Sequence, residues 1–125
     1  MGAGGIIPER KPKITFGKFE NVDIRVGRVL AAPLAEGARF PSRVIEVDLG
    51  DLGRLQSVGQ YALLTEEELL GRNVVVCINL GSRQMGAYVS EALVLGVPHP
   101  DGPADQAQAT PLWADEQVAP GSAVY

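Results

Sequence analysis

Apolar and polar positions alternate in short runs along the chain, and changes in that period mark its elements. In NVDIRVGRVLAA, Val22, Ile24 and Val26 alternate with Asp23 and Arg25, which predicts a strand with one buried face. The phase slips at Gly27, because the next apolar residue is Val29. A glycine at such a slip predicts a β-bulge or bend, and a strand bent there can serve two sides of a small closed barrel. RVIEVDLG repeats the alternation, with Ile45, Val47 and Leu49 on one face and Glu46 and Asp48 on the other. GDLG turns the chain and RLQSVGQ returns, so the second and third strands form a hairpin.

YALLTEEELLG departs from the period of two. Thr65 with Glu68 three residues later is a capping box, and three glutamates fill the first turn, where the helix dipole favours them. Gly71 follows as the C′ residue, so a short helix is expected here. NVVVCIN is continuously apolar and predicts a strand covered on both faces. NLGSRQMGAYVSEALVLG leads from it, through a loop carrying Arg83, Gln84 and Met85, to a fifth strand in EALVLGV.

Ahead of the first strand, Thr15 caps a short turn, with Phe16 and Phe19 at i and i+3 expected to pack on the body. AAPLAEGARFPS is a loop broken by Pro33, Gly37 and Pro41, in which Arg39 and Arg43 flank Phe40. PHPDGPADQAQ is another loop. ATPLWADEQVAPGSAVY predicts a last hairpin, with Leu112 and Trp113 on one arm and Val118 and Val124 on the other. Three strands, a short helix and two more strands is the order of an OB-fold, an all-β five-stranded Greek-key barrel with β additions here at the chain ends. The pattern alone also fits other small barrel topologies. The expected division is a flexible Gly-, Pro- and Lys-rich segment 1–13 and a domain over 14–125.

Composition narrows the function. A 125-residue chain with 46% apolar residues supports one domain with a core and excludes a disordered protein. No apolar run is long enough to cross a bilayer, and the start lacks the apolar region of a signal peptide, so a cytoplasmic location without membrane insertion is expected. Cys77 sits within an apolar run and reads as a buried small hydrophobe. The single histidine, His99, lies in a turn context, and no histidine-based metal site can be built; neither metal nor cofactor is expected. There is no nucleophile elbow and no Walker-type loop, and GAGG at 2–5 precedes no βαβ unit. A binding protein, not an enzyme, is expected.

Net charge is −4, which argues against bulk attraction of nucleic acid. The charges are unevenly placed, however. Residues 1–46 carry eight Lys/Arg and five Asp/Glu, whereas residues 47–125 carry three and ten, so a basic face on an acidic body is available. The face of the second and third strands, where OB-folds hold ligands, would present Arg39, Phe40, Arg43, Gln56, Ser57 and Gln60. With 6% aromatics, a base-stacking platform is thin. Recognition of a folded RNA by backbone and shape asks for arginines and hydroxyls instead, which brings in Arg83 and Ser90. Met85 adds an adaptable apolar surface.

VDIRVGRVL and NLGSRQMGAYVSEALVLG resemble the tRNA-binding domain family, which includes stand-alone RNA-binding proteins and domains appended to aminoacyl-tRNA synthetases. KITFGKFENVDIRVGRVLAA, RVIEVDLGDLG, LLTEEELLGRNVVVCINLGSRQMGAYVSEALVLG and the closing VAPGSAVY bring the chain nearer to the CsaA subgroup, described as export-related chaperones that also bind tRNA. The resemblance covers residues 13 to 125 and implies an OB-fold that forms a homodimer through its terminal additions. It further implies tRNA binding near the outer corner of the folded molecule, and a hydrophobic groove for extended polypeptides as the alternative role. Carried onto this chain, Arg83, Gln84, Ser90 and Glu91 are the signature cluster, with Arg39, Arg43, Ser57 and Gln60 beside it. Phe40, Met85 and Tyr88 are the expected peptide contacts. The chain departs from the family at Gly81-Ser82-Arg83, where proline usually precedes the arginine, and at SVGQY, where Tyr61 stands in place of an aliphatic residue.

Overall fold

A computed structural model describes residues 9–125. Residues 1–8, most of the segment expected to be flexible, lie outside the described residues; residues 9–13 are exposed and carry no regular element. The elements are α1 (Phe16–Glu20), β1 (Ile24–Ala31), β2 (Arg43–Asp48), β3 (Arg54–Gly59), α2 (Glu66–Leu69), β4 (Asn73–Cys77), β5 (Arg83–Met85), β6 (Tyr88–Ser90), β7 (Leu93–Val94), β8 (Gly96–Pro98) and β9 (Ala109–Pro111). Five antiparallel strands in the order β3-β2-β1-β4-β7 make a nearly closed barrel, the all-β OB-like arrangement expected from the pattern. Ile45, Val47, Val74, Val76 and Leu69 are fully buried at its centre.

β1 is the pivot of the barrel. Ile24 to Arg28 pair with β4, and Arg28 to Ala31 pair with β2. Gly27 stands where one partnership gives way to the other, and a Cβ there would meet Val47, Val76 and Leu49 side chains at 3.1, 3.2 and 3.3 Å. The expected irregularity is displaced: Gly27 keeps its register with Val74, and the register shift falls between Val29 and Ala31.

The seam between β3 and the chain around β7 is closed mainly by hydroxyls and single backbone bonds. The amides of Glu91 and Ala92 donate to the Gln56 carbonyl at 2.7 and 3.2 Å. Ser90 Oγ accepts from the Val58 amide at 3.0 Å, and Ser57 Oγ accepts from the Val94 amide at 3.2 Å. Short strands that cannot complete a ladder leave orphan amides, and these hydroxyls satisfy them.

Three local expectations are corrected. The stretch after β4 is not a simple loop: Arg83–Met85 and Tyr88–Ser90 pair as a hairpin that turns at Gly86, whose φ of +63° a residue with a side chain rarely adopts. The closing segment does not fold on itself as a hairpin. Trp113 bridges to Val74, and the last residues run along β1. Gly121 N donates to Val26 O at 2.7 Å, Val26 N to Ser122 O at 2.9 Å, and Val124 N to Ile24 O at 2.9 Å. The cause is an open edge: these β1 residues lie before its pairing with β2 begins, and the tail covers backbone groups that would otherwise be unpaired. Finally, Thr15 does cap α1, accepting from the Lys18 amide at 3.2 Å, but Phe16 and Phe19 remain 87% and 41% exposed instead of packing on the body. A five-residue helix spans little more than one turn, and none of its residues is buried.

Candidate functional site

A groove of ≈ 800 Å³ opens between the loop after β1, the end of β3 and the β5–β6 hairpin. Its walls are set by local bonds. Ala35 N donates to Ser42 O at 2.8 Å and closes the loop at its base. Within it, Ser42 Oγ donates to Phe40 O at 2.9 Å and fixes the turn that carries Arg39 and Phe40. Tyr88 Oη accepts from Glu36 N at 3.0 Å, which ties that loop to the hairpin opposite.

The floor depends on Tyr61, a residue that the sequence marked only as a departure. Its hydroxyl donates to Val94 O at 2.5 Å, and its ring is wedged between Gly59 and Gly96, where an added Cβ would come within 2.5 and 3.0 Å of ring atoms. Burial pushes its phenol up to about 12. Gln108, 2% exposed, supports the adjoining rim: its Oε1 accepts from Ala62 N at 3.0 Å, and its Nε2 donates to Pro41 O at 2.9 Å. Gly59, two residues before Tyr61, was the available sequence signal for the first; nothing local marked the second.

Of the sequence-predicted residues, Arg39, Phe40, Gln60, Arg83, Met85, Tyr88 and Ser90 line the groove. Arg39 lies over the Phe40 ring, its guanidinium 5.3 Å from the centroid. Arg83 is exposed on β5 opposite Ser90. Gln84 is turned onto its own hairpin, donating to Gly86 O and Tyr88 O at 2.7 and 3.3 Å. Glu91 accepts from Gln56 N at 3.0 Å and is not part of the lining. Ser57 and Ser90 are 2% and 8% exposed and act as barrel closures, with Ser90 Oγ also donating to Ala92 O at 3.0 Å. Arg43 does not join Arg39 and Arg83. It is 8% exposed, and its Nε and Nη1 donate to Leu64 O and Ala32 O at 3.0 and 2.7 Å, so it pins α2's approach to the end of β1.

The electrostatics of the groove are one-sided. Arg39 and Arg83 are its charged lining residues; no Asp or Glu lines it. Among the described residues the two ion pairs, Arg25–Asp23 and Arg54–Glu46, lie elsewhere. Most of the remaining lining is apolar or aromatic, including Val58, Tyr61, Leu80, Met85 and Tyr88. Chemically, this is a place for an anion attached to a flat or apolar body. Among the described residues no cluster of His, Cys, Asp or Glu could hold a metal, and no helix is long and apolar enough to cross a membrane.

Residues 24–123 match the family model "Putative tRNA binding domain". The chain is similar to a methionine–tRNA ligase of Methanosarcina acetivorans, 36% identical over 117 residues, which are 93% of this chain and 16% of the ligase. The chain therefore spans less than a fifth of that relative's length. Among solved structures it is similar to the CsaA chaperone protein of Picrophilus torridus, with TM-score 0.80 and 27% identity over 90% of this chain and 100% of that one. It is likewise similar to the chaperone CsaA of Bacillus anthracis, with TM-score 0.78 and 28% identity over 91% of this chain and 100% of that one.

Proposed function

The chain belongs to the tRNA-binding domain family, and from that membership we propose that it binds folded tRNA in this groove, as a cytoplasmic binding protein of the CsaA type without a chemical step of its own. One observation carries the reading: a protein of net charge −4 keeps two guanidinium groups, and no carboxylate, in the lining of its main groove. Guanidiniums attract and fork onto phosphate oxygens; Glu36 and Glu91 each adjoin lining residues but do not themselves line the groove. Arg39 and Arg83 are the capturing residues, with Gln60 beside them.

The binding unit is a homodimer. Ile14, Phe16, Phe19, Val22 and Tyr125 are exposed, and Val22 and Tyr125 line one small depression between the end of α1 and the chain's last residues. A second copy covering this surface removes apolar area from water. Phe16→Asp is expected to leave a folded monomer in sedimentation equilibrium, where the wild type runs as a dimer.

Extended polypeptides are the second reading, favoured by the apolar walls around Met85 and Leu80. Fluorescence anisotropy of labelled unfractionated tRNA separates the two. Arg83→Ala weakens tRNA binding by about tenfold if the groove holds phosphate. A permanently unfolded polypeptide that displaces the tRNA, with Arg83→Ala leaving the RNA untouched, makes the polypeptide reading the correct one.

A further inference from the structure

Backbone-directed recognition accounts for the arginines but not for the shape of the groove. A phosphate needs a donor at a surface; it does not need a cavity of ≈ 800 Å³ with apolar walls, a volume typical of sites that enclose a small organic ligand. The sequence holds three phenylalanines, three tyrosines and one tryptophan. Three of these seven, Phe40, Tyr61 and Tyr88, line this one groove although they are distant along the chain. Each is held differently: Phe40 through the Ser42 bond to its own carbonyl, Tyr61 through Val94 O, and Tyr88 through Glu36 N. Phe40 remains 36% exposed with the Arg39 guanidinium over its ring, and both are side-chain types on which unstacked bases settle.

Resting on the tRNA reading of the groove, we infer that it receives one unpaired nucleotide of the RNA, with the base stacked on the Arg39–Phe40 pair and the phosphate held by Arg83. The substrate class is then narrower than folded RNA in general: it is a folded RNA that presents a base already free of its helix. A paired stem keeps its bases inside the duplex and offers only phosphates to the two arginines, because extruding a base costs a few kcal/mol. Gln60, whose side chain lines the same groove, is placed to read a base edge.

The test uses two RNA stem-loops of equal nucleotide count, one with a single bulged 2-aminopurine and one with that base paired. Wild-type protein is expected to bind the bulged RNA about tenfold more tightly, the size of one base–aromatic stack, and to quench the 2-aminopurine. Phe40→Ala, at a part-exposed position, abolishes both the preference and the quenching, so that the bulged and paired RNAs bind alike. Arg83→Ala weakens both RNAs together. Equal wild-type affinity for the two RNAs, or a preference that survives Phe40→Ala, overturns the nucleotide pocket and leaves backbone binding standing. Failure of both RNAs to bind, with Arg39 and Arg83 intact, removes the RNA reading beneath it as well.

Discussion

Two regions of this barrel use arginine in opposite ways. Along the tail seam every guanidinium has a protein partner. Arg25 donates to Asp23 Oδ1 at 2.7 Å and to Gly121 O at 3.1 Å. Arg28 donates to Asn73 Oδ1, Glu116 O and Val118 O at 3.2 to 3.4 Å. Arg72 lies over the Trp113 ring, 3.6 Å from its centroid. In the groove, among the described residues, Arg39 has only the Phe40 ring beneath it and Arg83 has no charged partner. Arg25 and Arg28 hold an irregular segment to the barrel by satisfying carbonyls that no strand reaches, and Arg72 covers a tail aromatic ring. The groove arginines have donors left for something outside the protein. Residue type alone does not separate a structural cation from a binding cation; the supply of carbonyls around it does.

Arg43 sharpens that comparison most, since it lies next to the groove yet behaves as a seam residue. Arg43→Ala leaves the carbonyls of Leu64 and Ala32 without their donor in a buried site. A loss of roughly 3 kcal/mol is expected in urea unfolding, from two charge-assisted bonds and the vacated volume. At a temperature where the variant is folded, its RNA affinity stays near wild type. A stable Arg43→Ala protein with weakened RNA binding would place this residue in the binding group instead.

Tyr61 gives a smaller effect with a pH signature. Its folded pKa is raised from 10.0 to about 12, so the neutral phenol's stabilisation is complete below pH 10 and disappears as pH rises through about 12. Tyr61→Phe costs about 1 kcal/mol for the lost bond to Val94 O, and it flattens the alkaline limb of the stability profile between those limits. An unchanged alkaline limb in the variant would show that another group titrates there.

The smallest effect belongs to the solvent-facing capping box of α2. The Thr65 backbone and side-chain bonds hold the Glu68 carboxyl below its ordinary 4.5. A lowered folded pKa means that this contribution is present above pH 4.5 and fades as pH falls through the folded value. Glu68→Gln therefore reduces the slope of stability against pH on the acid side, measured by thermal unfolding from pH 5 downward, and leaves RNA binding alone.

What the sequence made legible was local. Alternation at Ile45, Val47 and Leu49 identified a buried strand face, and Thr65 with Glu68 identified a helix start, because each signal lies within one element. Arg39 and Arg83 were legible as binding candidates for the same reason: each stands exposed in a turn or edge segment. Arg43 was not separable from them. Its burial depends on carbonyls 11 and 21 residues away that only the folded chain brings near. Ser57 and Ser90 were expected as RNA contacts, and their role as closures depends on β3 meeting β6 and β7. The tail's apolar positions predicted a hairpin, because nothing local shows which edge of the barrel they would cover. Gathering three aromatics into one groove needed long-range topology, so a low aromatic content pointed only to a thin stacking platform.

The contrast between committed and available arginines is tested most directly by the salt dependence of tRNA affinity, measured for wild type, for the groove variant Arg39→Ala/Arg83→Ala, and for the seam variant Arg25→Ala/Arg28→Ala as a matched loss of two charges. Each phosphate contact contributes about 0.7 to 0.9 to the slope of log affinity against log salt. The groove variant should lose between one and two units of slope while the seam variant keeps the wild-type value. Equal losses in both variants would mean that tRNA responds to net charge alone, and that the groove is not where it binds.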